Sequence, residues 1–201
     1  MKHRIWLWGF LLLILWCVQA QAAEVKLSRP KNSLHMFGGQ FTRESIGGTA
    51  ELDEAKYEDN YILAIDYYRE LFSPGWGAYF GFELGFGNRF GDEHAQEAWG
   101  AVAFRHQGWR IANVLTISPG LSFGVSLVDE AIGTEAYREN QDTDRDASLL
   151  FYLSPEIALS FSQFQSWELV YRLHHRSGAD RTLGEFREGH NANTIGVRYW
   201  F

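Results

Sequence analysis

Cysteine is almost missing from this chain: of 201 residues only Cys17 is one, and it lies in the leading apolar segment. Past it there is no thiol nucleophile, no thiolate metal site and no disulfide framework. Proline is scarce, 4 residues against 20 glycines. After residue 18 no stretch stays apolar for even 12 residues, so no later helix is able to span a bilayer, which takes about 20. Positive charge is in deficit, 18 Lys and Arg against 25 Asp and Glu. An acidic chain of this kind repels nucleic acid, and that class of partner is excluded.

The leader comes first among what is present. Lys2 and Arg4 precede an apolar run from Ile5 to Val18, and Ala20-Gln21-Ala22 closes it. A basic start, an apolar middle and an A-x-A site predict a secretory signal over residues 1–22. The run is about 14 residues, short for a membrane span. A lipoprotein role for Cys17 is disfavoured by the bulky Trp16 before it. Cleavage after Ala22 leaves one domain over 23–201 and moves the formal charge from −7 to −9.

The mature chain alternates with period two. Ala78, Phe80, Phe82, Leu84 and Phe86 oppose Tyr79, Gly81, Glu83, Gly85 and Gly87. Leu115, Ile117, Leu121, Phe123, Val125 and Leu127 oppose Thr116, Ser118, Gly120, Ser122, Gly124 and Ser126, and residues 149–161 repeat the pattern. Runs of this length match the 9–11 tilted residues that cross a bilayer. A soluble barrel would turn its second face to water, and a face of Gly, Ser and Thr with few charges makes a poor solvent surface. A membrane barrel puts large apolar side chains against lipid and small or polar ones in a narrow lumen.

Eight strands are predicted, at 34–43, 60–71, 75–88, 98–106, 114–128, 148–162, 166–177 and 191–201. Long polar connections are expected after the first, third, fifth and seventh, and shorter ones after the second, fourth and sixth. The prediction is an all-β, eight-stranded, antiparallel up-and-down barrel in the bacterial outer membrane, with its long loops outside and a packed lumen. Arg172 and Glu83 share lumen parity and are expected to pair, and His174 is expected to be a packed lumen residue.

Chemistry is therefore sought on the outer wall or in the loops. On the seventh strand Leu169, Tyr171, Leu173, His175 and Ser177 share one face. His-x-Ser on a strand puts an imidazole and a hydroxyl on the same side, about 6.6 Å apart at Cα. The imidazole is then able to take the hydroxyl proton and create a nucleophile for an ester. A rim pair bound to lipid head groups is the plainer reading. Arg176, Arg181 and Arg187 are expected at the rim, with phosphates as possible contacts. The acidic stretch Glu51 to Asp59 is read as solvated rather than as a cation site, and no metal-ligand spacing stands out.

His174-His175-Arg176-Ser177-Gly178-Ala179, then Gly189-His190-Asn191 and the final Thr194-Ile195-Gly196-Val197-Arg198-Tyr199-Trp200-Phe201, resemble the PagL-type lipid A 3-O-deacylases, also filed as acyloxyacyl-hydrolase-like outer-membrane proteins. The motif likeness covers about the last 35 residues. It implies an eight-stranded barrel with a lipid-facing site, lipid A of lipopolysaccharide as the partner, an ester-hydrolase activity and no cofactor. By resemblance His175 is the general base, Ser177 the nucleophile, and Gly178 and Ala179 the oxyanion region. The family's acidic residue on the last strand corresponds to Asn191, which orients an imidazole but brings no charge. The family's asparagine after the serine is Gly178. Glu188 and Glu185 are loop acids able to stand in for the missing carboxylate. The rival reading is a non-enzymatic small barrel with a structural or ligand-binding role.

Overall fold

The computed structural model describes residues 30–142 and 144–201. The expected signal, with Cys17, lies outside the described residues. The chain forms β1 (Asn32–Thr42), α1 (Ile46–Thr49), β2 (Tyr57–Gly75), β3 (Ala78–Gly91), β4 (Ala95–His106), β5 (Trp109–Ile111), β6 (Leu115–Val128), α2 (Gly133–Glu139), β7 (Leu149–Phe161), β8 (Trp167–Ser177) and β9 (Asn191–Trp200). Sequential antiparallel pairing joins neighbours, β4 pairs β6, and β1 pairs β9. The result is a closed barrel of eight wall strands. The three-residue β5 is an accessory strand against β6 in the turn between β4 and β6.

Closure removes every sheet edge, and the alternation decides what each side of the wall meets. Leu63, Leu84, Phe86, Val102, Phe123, Val125, Ile157, Ile195 and Val197 are exposed on the outside. Inside, Arg89, Arg172, Arg176 and Arg198 are among the largest fully buried side chains. A soluble protein has the reverse arrangement, so the outer wall is suited to lipid. Among the described residues no helix is long and apolar enough to cross a membrane, and the crossing is made by strands.

The lumen is a plug of ion pairs in two tiers. Near the short turns, Arg172 binds Asp66 (2.8 Å), Glu83 (3.0 Å) and Glu156 (2.6 Å), Arg105 binds Glu83 and Glu156, and Arg198 binds Glu156 and Glu168. Near the long loops, Arg89 and Arg176 share Glu135 of α2, and Arg89 also binds Glu97. Between the tiers His174 Nε2 lies 2.9 Å from Glu97, and Trp99 Nε1 donates to Glu83 (3.1 Å). The Trp99 indole fits because its cross-strand neighbour Gly85 has no Cβ to collide with it. Each buried guanidinium has carboxylate partners, the condition under which charge is tolerated away from water. The expected Arg172–Glu83 pair and the packed His174 are both present.

Two expectations are corrected. The connection between β3 and β4 is only residues 92–94, because β2 and β3 stay paired out to Asn60–Gly91. The turn between β4 and β6, residues 107–114, is longer than that and contains β5. Arg176 is not a rim residue: it points into the lumen, is fully buried, and bonds Glu135, the Ser126 hydroxyl and the Ala147 carbonyl.

Candidate active site on the outer wall

His175 and Ser177 lie near the loop end of β8 with their side chains on the outer side. Across the wall on β7, Leu153 is level with His175 and Phe151 with Ser177. On β9, Asn191 is level with His175. Phe151 stacks on Phe123 with centroids 6.0 Å apart, so an apolar strip runs from Ser177 across β7 to β6.

His175 Nδ1 and Asn191 Oδ1 are hydrogen-bonded. The amide orientation follows from its other half: Asn191 Nδ2 donates to the Glu44 carbonyl at 2.8 Å. A carbonyl oxygen accepts only, so the nitrogen must face Glu44 and the oxygen must face the imidazole. Nδ1 therefore carries the ring proton, and Nε2 keeps its lone pair. Nε2 has no hydrogen-bond partner among the described residues and is not among the polar atoms sealed from solvent. The tautomer is the one a general base requires.

Loop 1, residues 43–56, folds onto the outside of β9. Asn193 Nδ2 donates to the Thr49 carbonyl (2.9 Å), Tyr171 donates to Asn193 Oδ1 (2.7 Å), and the Thr42 and Thr49 hydroxyls bond at 2.6 Å. Asn191 and Asn193, polar residues on the lipid-facing parity of β9, are thereby supplied with partners, which offsets the cost of placing amides there. Under this cover Asn191 is fully buried, and His175 beside it is only 5% exposed.

Ser177 is half-buried and its hydroxyl makes no hydrogen bond among the described residues, His175 included. Nucleophile–base bonds are often long before substrate arrives and tighten with it. The chain after Ser177 turns sharply, with Ala179, Asp180 and Arg181 all at positive φ (47°, 54° and 72°). A Cβ on Gly178 would strike the backbone carbonyls of Leu183 and Phe186. No larger residue fits there while the loop is folded back. The N–H groups of Gly178 and Ala179 are not used in any hydrogen bond among the described residues.

Of the remaining residues, Arg181 is exposed, and Arg187 is exposed and paired with Asp180 at 3.3 Å. Glu185 is exposed on the loop. Residues 51–54 are exposed, whereas Glu58 at the end of that stretch is buried against His190 (3.3 Å). Glu44 was not picked out from sequence. Its contribution is a backbone carbonyl, which no residue type signals.

No protein-family model matches the chain, and no curated protein matches its sequence. Solved structures do match in fold. The crystal structure of the outer membrane enzyme PagL superposes with a TM-score of 0.56 at 11% identity, covering 83% of this chain and 98% of that one. The crystal structure of Neisserial surface protein A superposes at 0.52 and 7% identity, covering 85% and 97%. The protein is an eight-stranded outer-membrane β-barrel. One of these two neighbours is an enzyme by its description; the other is described only as a surface protein.

Proposed function

We propose that the barrel is an outer-membrane ester hydrolase that removes an ester-linked acyl chain, in the resembling family the 3-O-acyl chain, from lipid A of lipopolysaccharide. The observation that carries this reading is the doubly anchored Asn191 amide, which holds His175 as the Nδ1–H tautomer two residues from Ser177 on the lipid-facing wall. A barrel that only fills the membrane has no use for a covered, oriented imidazole there.

In the reaction, Ser177 Oγ gives its proton to His175 Nε2 as Oγ bonds to the acyl carbonyl carbon. The carbonyl electron pair moves onto oxygen, where the free N–H groups of Gly178 and Ala179 receive it. The C–O bond to the sugar then breaks, and the proton passes from Nε2 to the departing sugar oxygen. Water repeats the cycle on the acyl-serine and releases the fatty acid. The strip of Phe151 and Phe123 beside Ser177 suits the acyl chain.

The test is mass spectrometry of lipid A from cells with wild-type protein, with Ser177→Ala and without the gene. Loss of one acyl chain with wild type alone is expected, while both proteins reach the membrane as heat-modifiable barrels. Identical lipid A in all three would refute the reading. A binding role has one observation behind it, a cleft of about 770 Å³ at the barrel mouth lined by Arg43, Glu58, Asp92, Glu93 and Arg138 among others. Identical lipid A would leave this second reading standing.

A further inference from the structure

The β8–β9 ladder breaks beside the candidate site. Arg176 N donates to the His190 carbonyl (2.9 Å), yet the Arg176 carbonyl accepts from Gly189 N (3.0 Å). Two residues oppose one, a β-bulge of the kind that re-aims side chains. Since Asn191 is level with His175, the extra residue brings Glu188, instead of Gly189, level with Ser177. One carboxylate oxygen of Glu188, Oε2, is sealed from solvent and has no hydrogen-bond partner among the described residues. Arg138 does not satisfy it, because that guanidinium bonds the Glu188 and Gly189 backbone carbonyls (3.5 and 2.6 Å).

A buried carboxylate oxygen without a partner is destabilising. Positive charge appearing beside it would offset that cost. In the reaction proposed above that happens once, when His175 takes the serine proton. We infer that Glu188 and Asn191 divide between them the task one acidic residue performs in a Ser-His-acid triad: the Asn191 amide sets the tautomer, and the Glu188 carboxylate compensates the imidazolium. The inference rests on the hydrolase reading, and Glu188 acts only through His175, as a positioning residue. The charged and titratable groups around the imidazole fit this division. Glu188 is the acid that the bulge brings to the loop side, level with Ser177. His174, behind the wall, is itself bound to Glu97, and Asn191 is neutral.

The experiment uses purified full-length barrels in detergent, with lipid A carrying ester-linked acyl chains as substrate. Glu188→Gln keeps size and removes charge. It should lower kcat about 10–100-fold, the scale of losing a residue that supports a reacting group. It should also move the acid limb of the kcat–pH profile to lower pH, because the imidazolium has lost its counter-charge. Unchanged kcat in Glu188→Gln, or a lower kcat with an unmoved limb, overturns the inference. NMR titration of the His175 ring in wild type and Glu188→Gln gives an answer independent of turnover. A fall in its pKa supports the charge role, and an unmoved pKa refutes it, even should wild-type protein release no fatty acid and the hydrolase reading fail.

Discussion

Arg172 and Glu83 are partners in the lumen, but replacing them should have very different consequences. The lower tier holds three guanidiniums, Arg105, Arg172 and Arg198, against four carboxylates, Asp66, Glu83, Glu156 and Glu168. Glu83→Gln removes one of the four acids. Arg172 retains Asp66 and Glu156, Arg105 retains Glu156, and the amide oxygen still accepts one of their N–H groups. The cost should be that of weakened hydrogen bonds, about 1–2 kcal/mol. Arg172→Met preserves the apolar stem but leaves Asp66 with His35 alone and removes one guanidinium each from Glu83 and Glu156, so that two guanidiniums, Arg105 and Arg198, face four acids. Breaking a buried pair from one side costs about 3–5 kcal/mol, and here one residue serves three carboxylates, so the upper end applies. Unfolding of refolded barrels in guanidinium, followed by tryptophan emission, measures both, since Trp99 donates to Glu83 and reports on this tier. Equal losses, or a larger one for Glu83→Gln, would refute the charge-balance argument.

Other outcomes follow from the loop end. Gly178→Ala should cost at least tenfold in deacylation and about 1–3 kcal/mol of stability, because the new methyl forces residues 183–186 away and moves two free N–H groups with them; retained activity would remove Gly178 from the site. A protease-cleavable tag placed within 129–147 should be cut on intact cells and one within 163–166 spared, and equal protection would contradict the orientation. Burial alone would raise the Glu135 carboxyl, but the Arg176 and Arg89 guanidiniums hold it below its ordinary 4.5. A depressed carboxyl stabilises above the unfolded value and loses that contribution as pH falls through the folded one. The loop carrying α2 should therefore resist protease at neutral pH and loosen only well below pH 4.5, and Glu135→Gln should loosen it at neutral pH as well.

How much of this was legible in the sequence depends on the range of the interaction. Alternation is local, so the strands β6, β7 and β8 and the outward parity of His175, Ser177 and Asn191 could be read directly. The Arg172–Glu83 pair also followed from parity. The wider plug did not, because which guanidinium meets which acid depends on barrel register between residues as far apart as Asp66 and Arg172. Arg176 shows the difference: its parity pointed inward, while its place near a strand end suggested the rim, and Glu135 from α2 decided the matter. Glu188 was open to view as a loop acid, but the bulge hid which side of the wall it faces. Counting alternate residues back from Asn191 turns Gly189 outward and Glu188 inward, and one inserted residue reverses that.

Loop 1 gives the site a place in time. The Asn191 amide is held by the Glu44 carbonyl, from the connection between β1 and β2, while Asn191 itself opens β9. These parts of the chain meet only across the β1–β9 seam, where Thr42 lies level with Asn191. A nascent or half-inserted chain can contain the His175–Ser177 hairpin and still leave the amide free to rotate and the imidazole free to change tautomer. Orientation of His175 is thus acquired at the moment the barrel closes. Before closure the chain carries a histidine and a serine, and the finished wall carries an imidazole of fixed tautomer two residues from a hydroxyl.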